Sequence, residues 1–271
     1  MLNNSEKKKG IVVAIKANYL LVDIEGENFK PIRLLCTCRT KLKFHGDYIS
    51  VGDFVLVESI DFDNHTAAVC FLHARKSFLT RPSVANVTDI FIIISVMQPR
   101  FDPDQASRFL IKAEQTGQNV ILVLTKTDLI DSVEAKQYVD RLGKWGYKPF
   151  LVSIKNKTGI SLLLEKLEHT KLGVFCGPSG TGKSSLLNYF LPEAFIPVGE
   201  LSKKLKRGKH TTRNVELFSL GKGSLLADTP GFNRPDLTFE SKSLSFLFPE
   251  LRIQLVNNKK CKFRNCLHLK E

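Results

Sequence analysis

The residues best suited to chemistry stand in one glycine-rich stretch, residues 177–184, which has the sequence GPSGTGKS. It fits the pattern G-x-x-x-x-G-K-[ST] at every fixed position, and this pattern is typical of loops that bind nucleotide phosphates. Glycines let backbone N–H groups close around a polyphosphate, and the start of a following helix adds partial positive charge. Lys183 is expected to reach the β- and γ-phosphates, and the Ser184 hydroxyl is expected to ligate Mg²⁺.

The segments around this loop support that interpretation. A short apolar run, residues 172–176, leads into the loop, and a helix-like run, residues 184–190, follows it. A phosphate-binding loop needs this strand–loop–helix context, which argues against the alternative of a chance glycine-rich turn. The residues predicted to contact the phosphates are Gly177, Pro178, Ser179, Gly180, Thr181, Gly182, Lys183, Ser184 and Ser185.

Composition indicates a folded protein of about two domains, because the chain has 271 residues and 43% of them are hydrophobic. No apolar run has the ~18 residues of a membrane span, and the first ten residues lack a signal-peptide core, so we expect a cytoplasmic protein without a membrane partner. The net charge is +13, of which residues 200–271 hold +8. A localised basic surface suggests a nucleic-acid partner, and the alternative is a surface that only aids solubility.

Short β-rich runs separated by turn signals fill residues 10–75, and the clearest of them are residues 11–15, 19–24, 54–58 and 67–72. About five strands without a convincing helix indicate a small closed barrel. The oligonucleotide/oligosaccharide-binding (OB) fold is the leading candidate for this barrel. Residues 75–82 then resemble a linker.

From residue 89 the pattern changes to continuous apolar strands spaced by helices. Strands are predicted at residues 89–96, 120–124 and 149–152, and helices at residues 105–116, 133–142 and 162–167. In the first helix one face is apolar and consists of Ala106, Phe109, Leu110 and Ala113. Strands without alternation are typical of a parallel sheet covered on both faces, whose functional residues lie in loops at the carboxyl ends of the strands.

Two of these loops carry groups suited to guanine. Thr125, Lys126, Thr127 and Asp128 follow a strand, and the Asp128 carboxylate can accept hydrogen bonds from the ring N–H and the exocyclic amine of guanine. Adenine lacks that donor pair, so this one Asp sets a base preference, and the stem of Lys126 can lie along the base plane. For the tetrapeptide alone, an Asp that caps a helix is an equal interpretation. The second loop can offer backbone N–H groups to guanine O6 and consists of Ser153, Ile154 and Lys155.

Beyond the phosphate loop, residues 201–213 are polar and strongly basic, which is typical of a mobile surface loop. Residues 223–228 form a predicted strand that ends in Asp228, and Thr229, Pro230 and Gly231 follow it. At this position Asp228 can hold the Mg²⁺ shell, and the Gly231 N–H can sense a γ-phosphate.

Together these five motifs resemble those of GTPases in a rotated order, because the base-reading loops precede the phosphate loop. With the barrel in front and a Cys/His segment behind, nearly the whole chain resembles the RsgA (YjeQ) family of small-ribosomal-subunit biogenesis GTPases. The resemblance implies an α/β P-loop GTPase domain, circularly permuted and with a mostly parallel sheet. This domain would lie between an N-terminal all-β OB-like barrel and a C-terminal zinc-binding segment. The expected boundaries are residues 1–76, 77–235 and 236–271.

The resemblance also implies a function and partners. These are GTP hydrolysis stimulated by the small ribosomal subunit, a late role in maturation of that subunit, a barrel that contacts 16S-type rRNA, and a monomer that binds GTP or GDP. Phe232 stands where ordinary GTPases have a Gln that orients water, and the family's substitute is thought to be the histidine at His210. The alternative for His210 is contact with RNA phosphate. Either Thr211 or Thr212 should complete the Mg²⁺ shell.

The C-terminal segment contains Cys261, Cys266 and His268 in the spacing C-x₄-C-x-H, which suits tetrahedral Zn²⁺. A structural zinc site should have four ligands, and the family places another Cys beyond the His. This sequence ends at Glu271, so we expect one Zn²⁺ per chain with its fourth ligand missing from the sequence. The alternative is two unliganded thiols.

Three functions compete at this point. They are a GTPase that acts on the ribosome, a nucleotide-switched RNA-binding module with negligible turnover, and a P-loop ATPase or kinase of another class. Residues 125–128 argue against the third, because they suit guanine rather than adenine. Only a measurement of turnover separates the first two.

Overall fold

The computed structural model describes residues 7–26, 31–38, 48–80, 82–191, 215–228 and 241–256. The chain divides into two compact units. The first comprises Met1–Thr88, Leu167–Val174 and Phe190–Gly231, and the second comprises Asp89–Lys166, Phe175–Tyr189 and Phe232–Glu271. Among the described residues, no helix combines the length and the apolar character that crossing a membrane requires.

The first unit contains a closed barrel of five strands, β1 (Lys8–Lys16), β2 (Tyr19–Glu25), β3 (Pro31–Cys38), β4 (Phe54–Asp61) and β5 (Thr66–Leu72). They pair in the order β1-β2-β3-β5-β4, and β4 pairs again with β1 to close the sheet. The pair β3–β5 is parallel, and the other pairs are antiparallel. The predicted barrel is therefore confirmed, and five strands is the number typical of the OB fold.

Alternation along these strands fills the barrel, because every second side chain points inward. The interior is lined by Val12, Leu20, Val22, Ile24, Leu34, Cys36, Val55, Val57, Ala67 and Val69. All four strands predicted from the sequence are present, and each extends beyond its predicted run. The strand β3 was not specified by the sequence, since Arg33, Thr37 and two cysteines interrupt its apolar residues.

The prediction of a linker at residues 75–82 is wrong in part, because this segment contributes to a β-hairpin of β6 (Phe78–Thr80) and β7 (Ser83–Ala85). The reason is burial of its apolar residues, since Leu79 and Val84 pair across the hairpin and are both buried. The hairpin packs closely on Gly52, which has φ +88°, and a Cβ there would lie 2.2 Å from the Ala85 carbonyl oxygen.

The second unit contains three parallel strands, β8 (Asp89–Ser95), β9 (Asn119–Thr125) and β10 (Phe150–Val152), paired in the order β10-β9-β8. Three helices connect or follow them, namely α1 (Pro103–Glu114), α2 (Ser132–Lys144) and α3 (Ile160–Glu168). Asp102 caps α1 by accepting hydrogen bonds from the backbone N–H groups of Asp104 and Gln105. The buried residues of α1 are the four predicted from its periodicity.

Three more strands follow, β11 (Leu172–Cys176), β12 (Glu216–Gly221) and β13 (Ser224–Asp228). In the first unit β13 pairs in parallel with β11 and antiparallel with β12, and β12 pairs with β1 at Ala14 and Glu216. The second unit also holds α4 (Lys183–Phe190) and α5 (Pro249–Val256). The strands β11 and β13 were predicted, whereas β12 and α5 were not.

Candidate nucleotide site

Three glycines shape the loop between β11 and α4, and each has a backbone conformation that L side chains rarely adopt. Gly177 has φ +142°, and a Cβ there would lie 2.1 Å from the carbonyl oxygen of Ile93 in β8. Gly180 and Gly182 have φ +82° and +92°. The G-x-x-x-x-G spacing therefore meets a backbone requirement at both of its fixed glycines, and Gly180 adds a third left-handed position.

Side chains within the same loop hold its shape. Thr181 is buried, and its hydroxyl donates to the Pro178 carbonyl at 3.0 Å. The Lys183 ammonium donates to the carbonyl oxygens of Gly177 at 2.8 Å and Pro178 at 2.5 Å. The ammonium group of the predicted phosphate-binding lysine is therefore bonded to the first two residues of the motif.

The helix α4 begins at Lys183, directly after the loop. Leu186 and Leu187 are buried and anchor its first turns, and the Leu186 N–H donates to the Gly182 carbonyl at 2.9 Å. The anchored helix presents its N-terminus at the loop, and the partial positive charge of a helix N-terminus favours an anion. Ser184 and Ser185 lie half-buried in this first turn, directly after the loop.

The loop after β9 is fastened to the phosphate loop by two consecutive residues. The hydroxyl of Thr125 donates to the Thr181 carbonyl at 2.6 Å, and Thr125 itself is 4% exposed. The ammonium of Lys126 donates to the Gly180 carbonyl at 2.8 Å and also to the Gln98 carbonyl. Lys126 has φ +58°, which turns the chain sharply after the strand. Two predicted base-reading residues therefore contact the phosphate loop.

Asp128 and Ser153 come together although they are 25 residues apart. The Ser153 hydroxyl donates to Asp128 Oδ1 at 2.6 Å and accepts from the Asn156 N–H at 3.1 Å. The carboxylate is thereby held in one orientation. Ser153 is buried, and its own N–H donates to the Thr158 carbonyl at 3.0 Å. Ile154 and Lys155 of the predicted second loop follow Ser153 in the turn that this bond closes.

Burial sets the electrostatics of this site. The pKa of Lys126 is lowered, chiefly because burial disfavours its charged form, and the nearby Asp128 carboxylate opposes that shift. The pKa of the Cys176 thiol, at the end of β11, is raised by complete burial, which Lys183 only partly offsets. Cys176 is therefore a neutral core side chain.

One contributor was not indicated by any motif. The segment after β8 supplies Gln98, whose carbonyl accepts from Lys126, and Pro99, whose Cδ would lie 3.5 Å from a Cβ built on Gly180. Ser95 fixes this segment, because its hydroxyl donates to the Pro99 carbonyl at 2.7 Å. Every residue type has a backbone carbonyl, so the sequence could not reveal that this segment contributes to the site.

Several predicted residues lie outside the described part of the chain. They are His210, Thr211, Thr212 and Gly231 of the catalytic and magnesium predictions, and Cys261, Cys266 and His268 of the zinc prediction. Asp228 is described as the last residue of β13. Within the described ranges there is no cluster of three or more His, Cys, Asp or Glu side chains that could hold a metal.

Comparison with known proteins decides the family. Residues 72–238 match the family model of the RsgA GTPase. A curated relative, the small ribosomal subunit biogenesis GTPase RsgA of Prochlorococcus marinus strain SARG, is 53% identical, over 99% of this chain and 90% of the relative. The chain belongs to the RsgA GTPase family. The RsgA of Synechococcus sp. strain CC9311 is 51% identical, over 97% of this chain and 87% of that protein.

Solved structures agree with this assignment. YjeQ from Thermotoga maritima aligns with a TM-score of 0.80 at 28% identity, over 98% of this chain and 88% of that chain. YloQ, described as a circularly permuted GTPase, aligns with a TM-score of 0.79 at 28% identity, over 100% of this chain and 87% of that chain. The rotated motif order is therefore a property of a known RsgA-type fold, and the chain is a GTPase.

Proposed function

We propose that the chain is a GTPase that binds the small ribosomal subunit and assists its late maturation, with hydrolysis stimulated by the subunit. The observation that carries the proposal is that Thr125 and Lys126, in the loop that bears Asp128, form hydrogen bonds to the phosphate loop. The curated relatives are small ribosomal subunit biogenesis GTPases, and the subunit is therefore the proposed partner.

Guanine selection falls to Asp128. Because Ser153 holds Oδ1 at 2.6 Å, the carboxylate keeps one orientation and can present its other oxygen to the two N–H donors of guanine. Backbone N–H groups of Ile154 and Lys155 would meet guanine O6. Thr125 and Lys126 attach this loop to the phosphate loop. Thr127 continues the loop into a short 3₁₀ turn over Thr127–Leu129.

Phosphate binding falls to residues 177–185, with Lys183 opposite the β- and γ-phosphates. The Ser184 hydroxyl fits a Mg²⁺ ligand by its chemistry and its place in the first turn of α4, and Asp228 with Thr211 or Thr212 would complete the shell. When bound, Mg²⁺ neutralises charge that develops between the β- and γ-phosphates. Gly231 would sense the γ-phosphate through its N–H.

His210 would orient the attacking water, because Phe232 stands where an ordinary GTPase has a Gln. An imidazole can accept a hydrogen bond from water and hold it in line with the γ-phosphate. A residue with this role stabilises the transition state more than the bound nucleotide.

The remaining parts of the proposal concern partners and organisation. We infer three domains, residues 1–76, 77–235 and 236–271, in a cytoplasmic monomer that binds GTP or GDP. The barrel and the basic residues 201–213 would contact 16S-type rRNA, because clustered positive charge suits phosphate. Cys261, Cys266 and His268 would hold one Zn²⁺.

The deciding experiment measures GTP hydrolysis by the purified chain with and without small ribosomal subunits. We expect hydrolysis that the subunits stimulate, absent in Lys183→Ala, and a His210→Ala variant that binds GTP normally but loses most of the stimulated turnover. GTP binding without stimulated hydrolysis would replace this proposal with the nucleotide-switched RNA-binding module. Normal stimulated turnover in His210→Ala would remove that residue from the mechanism.

A further inference from the structure

A loop that no sequence motif indicated is bonded to the predicted base-reading residues. It comprises residues 96–101, directly after β8, and we call it the Gln98 loop. Its base is closed by the Phe101 N–H, which donates to the Val96 carbonyl at 3.1 Å. The Val96 N–H in turn donates to the Thr125 carbonyl at 3.1 Å. The base of the Gln98 loop is therefore attached to the first of the predicted base-reading residues.

The tip of the Gln98 loop holds the ammonium group of Lys126. This ammonium donates to the carbonyl of Gln98 and also to the carbonyl of Gly180, the second at 2.8 Å. Burial lowers the pKa of Lys126, so its charged form depends more on acceptors that the protein supplies. The Gln98 loop supplies one of these acceptors, and the phosphate loop supplies the other.

The backbone at this tip needs support to keep the Gln98 carbonyl in place. Gln98 has φ +56°, a left-handed conformation that is uncommon for residues other than glycine. The hydroxyl of Ser95, the last residue of β8, donates to the Pro99 carbonyl at 2.7 Å, and Ser95 is 1% exposed. Because the proline ring fixes φ, anchoring the Pro99 carbonyl also restricts the preceding peptide group, which contains the Gln98 carbonyl.

The far end of the Gln98 loop has an anchor of its own. Phe101 is 8% exposed, and its ring lies edge-on to the ring of Tyr138 in α2, with 5.2 Å between centroids. This end is therefore held by core packing that does not involve Ser95. Loss of the Ser95 hydroxyl should consequently loosen the tip of the loop, at Gln98, and leave both of its ends in place.

We propose that Ser95 is a positioning residue for guanine-nucleotide binding, and that it acts through the Gln98 carbonyl on the ammonium group of Lys126. With its ammonium held, the stem of Lys126 keeps one course and can lie along the purine base. Ser95 is buried, so it acts on the nucleotide only through Lys126. The inference rests on the proposed guanine site and goes beyond it by giving a role to a loop and a hydroxyl outside the motifs.

The test is a fluorescence titration with a labelled GDP on the full chain, as wild type, Ser95→Ala, Lys126→Met and the double variant. Lys126→Met keeps the apolar stem and removes the ammonium group, so it should weaken binding roughly 10- to 150-fold, the range for hydrogen bonds of a charged group. Ser95→Ala should weaken binding roughly 2- to 12-fold, the range for one neutral hydrogen bond. The double variant should bind like Lys126→Met alone, because Ser95 then has no ammonium group to act on.

The matched control is Ser224→Ala in β13. Ser224 is also 1% exposed, and its hydroxyl donates to the Leu167 carbonyl at 2.7 Å, so this substitution removes the same kind of bond at the same burial. Both alanine variants should melt below the wild type by a similar amount when no nucleotide is present. Only Ser95→Ala should lose affinity for GDP.

Wild-type affinity in a folded Ser95→Ala variant would overturn the proposal, and so would an equal loss of affinity in Ser224→Ala. A double variant weakened by the product of the two single losses would also overturn it, because Ser95 would then act independently of Lys126. A wild type that bound no GDP would overturn this inference together with the proposed site. Failure of the proposed function on the ribosome is distinct, since subunits would then not stimulate GTP hydrolysis while the GDP affinities stayed as expected.

Discussion

Thr125 provides the sharpest test of how the two halves of the nucleotide site are joined. Its hydroxyl donates to the Thr181 carbonyl at 2.6 Å, and Thr125 is 4% exposed, so water cannot readily replace that bond. Thr125→Val keeps the shape of the side chain and removes only the hydroxyl. We expect the variant to fold, because the methyl groups still fill the same space, but to bind GTP and GDP more weakly.

The expected loss of affinity follows from the Thr181 carbonyl, which the substitution leaves without a hydrogen-bond donor. A buried acceptor without its partner costs about 1–3 kcal/mol. The phosphate loop can recover part of this cost by moving away from the base-reading loop, and that movement misplaces the groups that hold the nucleotide. At about 1.4 kcal/mol per tenfold, the full cost corresponds to a loss of affinity of roughly 5- to 150-fold.

The assay is a fluorescence titration with a labelled GDP, together with thermal melting with and without GDP. Thr125→Ser is the matched control, because it keeps the hydroxyl and loses only a methyl group, and it should restore most of the affinity. The preference for guanine over other bases should stay as in the wild type, since Asp128 is unchanged. Equal affinities for the Val variant and the wild type, or equal losses for Val and Ser, would refute the role given to this hydroxyl.

Two further predictions concern carboxylates. Asp128→Asn should weaken GTP binding and shift preference toward xanthine nucleotides, which present a carbonyl in place of the exocyclic amine; equal affinity of the wild type for ATP and GTP would contradict this. The pKa of Glu250 is raised, first by burial and also by Glu114, so its charge destabilises the folded state as pH rises above the unfolded value of 4.5. Glu250→Gln should therefore raise the melting temperature at pH 7 and leave it near that of the wild type at pH 4; calorimetry that showed no gain at pH 7 would contradict this.

The parts of the fold that the sequence predicted are those whose burial leaves a periodic pattern. β8 is buried at all seven positions, and its continuous apolar run indicates a strand covered on both faces. The apolar face of α1 recurs at helical spacing because one face packs on the sheet. β12 shows no such pattern, since it exposes Ser219 and Gly221 and is specified mainly by pairing with β1 and β13.

The site shows a similar division. Gly177 and Gly182 were predictable because both have a positive φ, which favours glycine. At Gly177 there is also no room for a Cβ. The Ser153–Asp128 bond was not predictable, because it joins two loops that only the folded sheet brings together. Bonds to the carbonyls of Gly180, Thr181 and Gln98 were also hidden, since every residue type carries the same acceptor.

The joined loops explain why the rotated motif order is compatible with a working site. Consecutive residues of one loop, Thr125 and Lys126, bind consecutive carbonyls of the other, at Thr181 and Gly180. These bonds require only that the two loops lie next to each other in space. They do not depend on which loop comes first along the chain. We therefore propose that a movement of the base-reading loop on binding guanine acts on the phosphate loop through these two bonds. Coupling between base and phosphate recognition would then not depend on the order of the motifs along the chain.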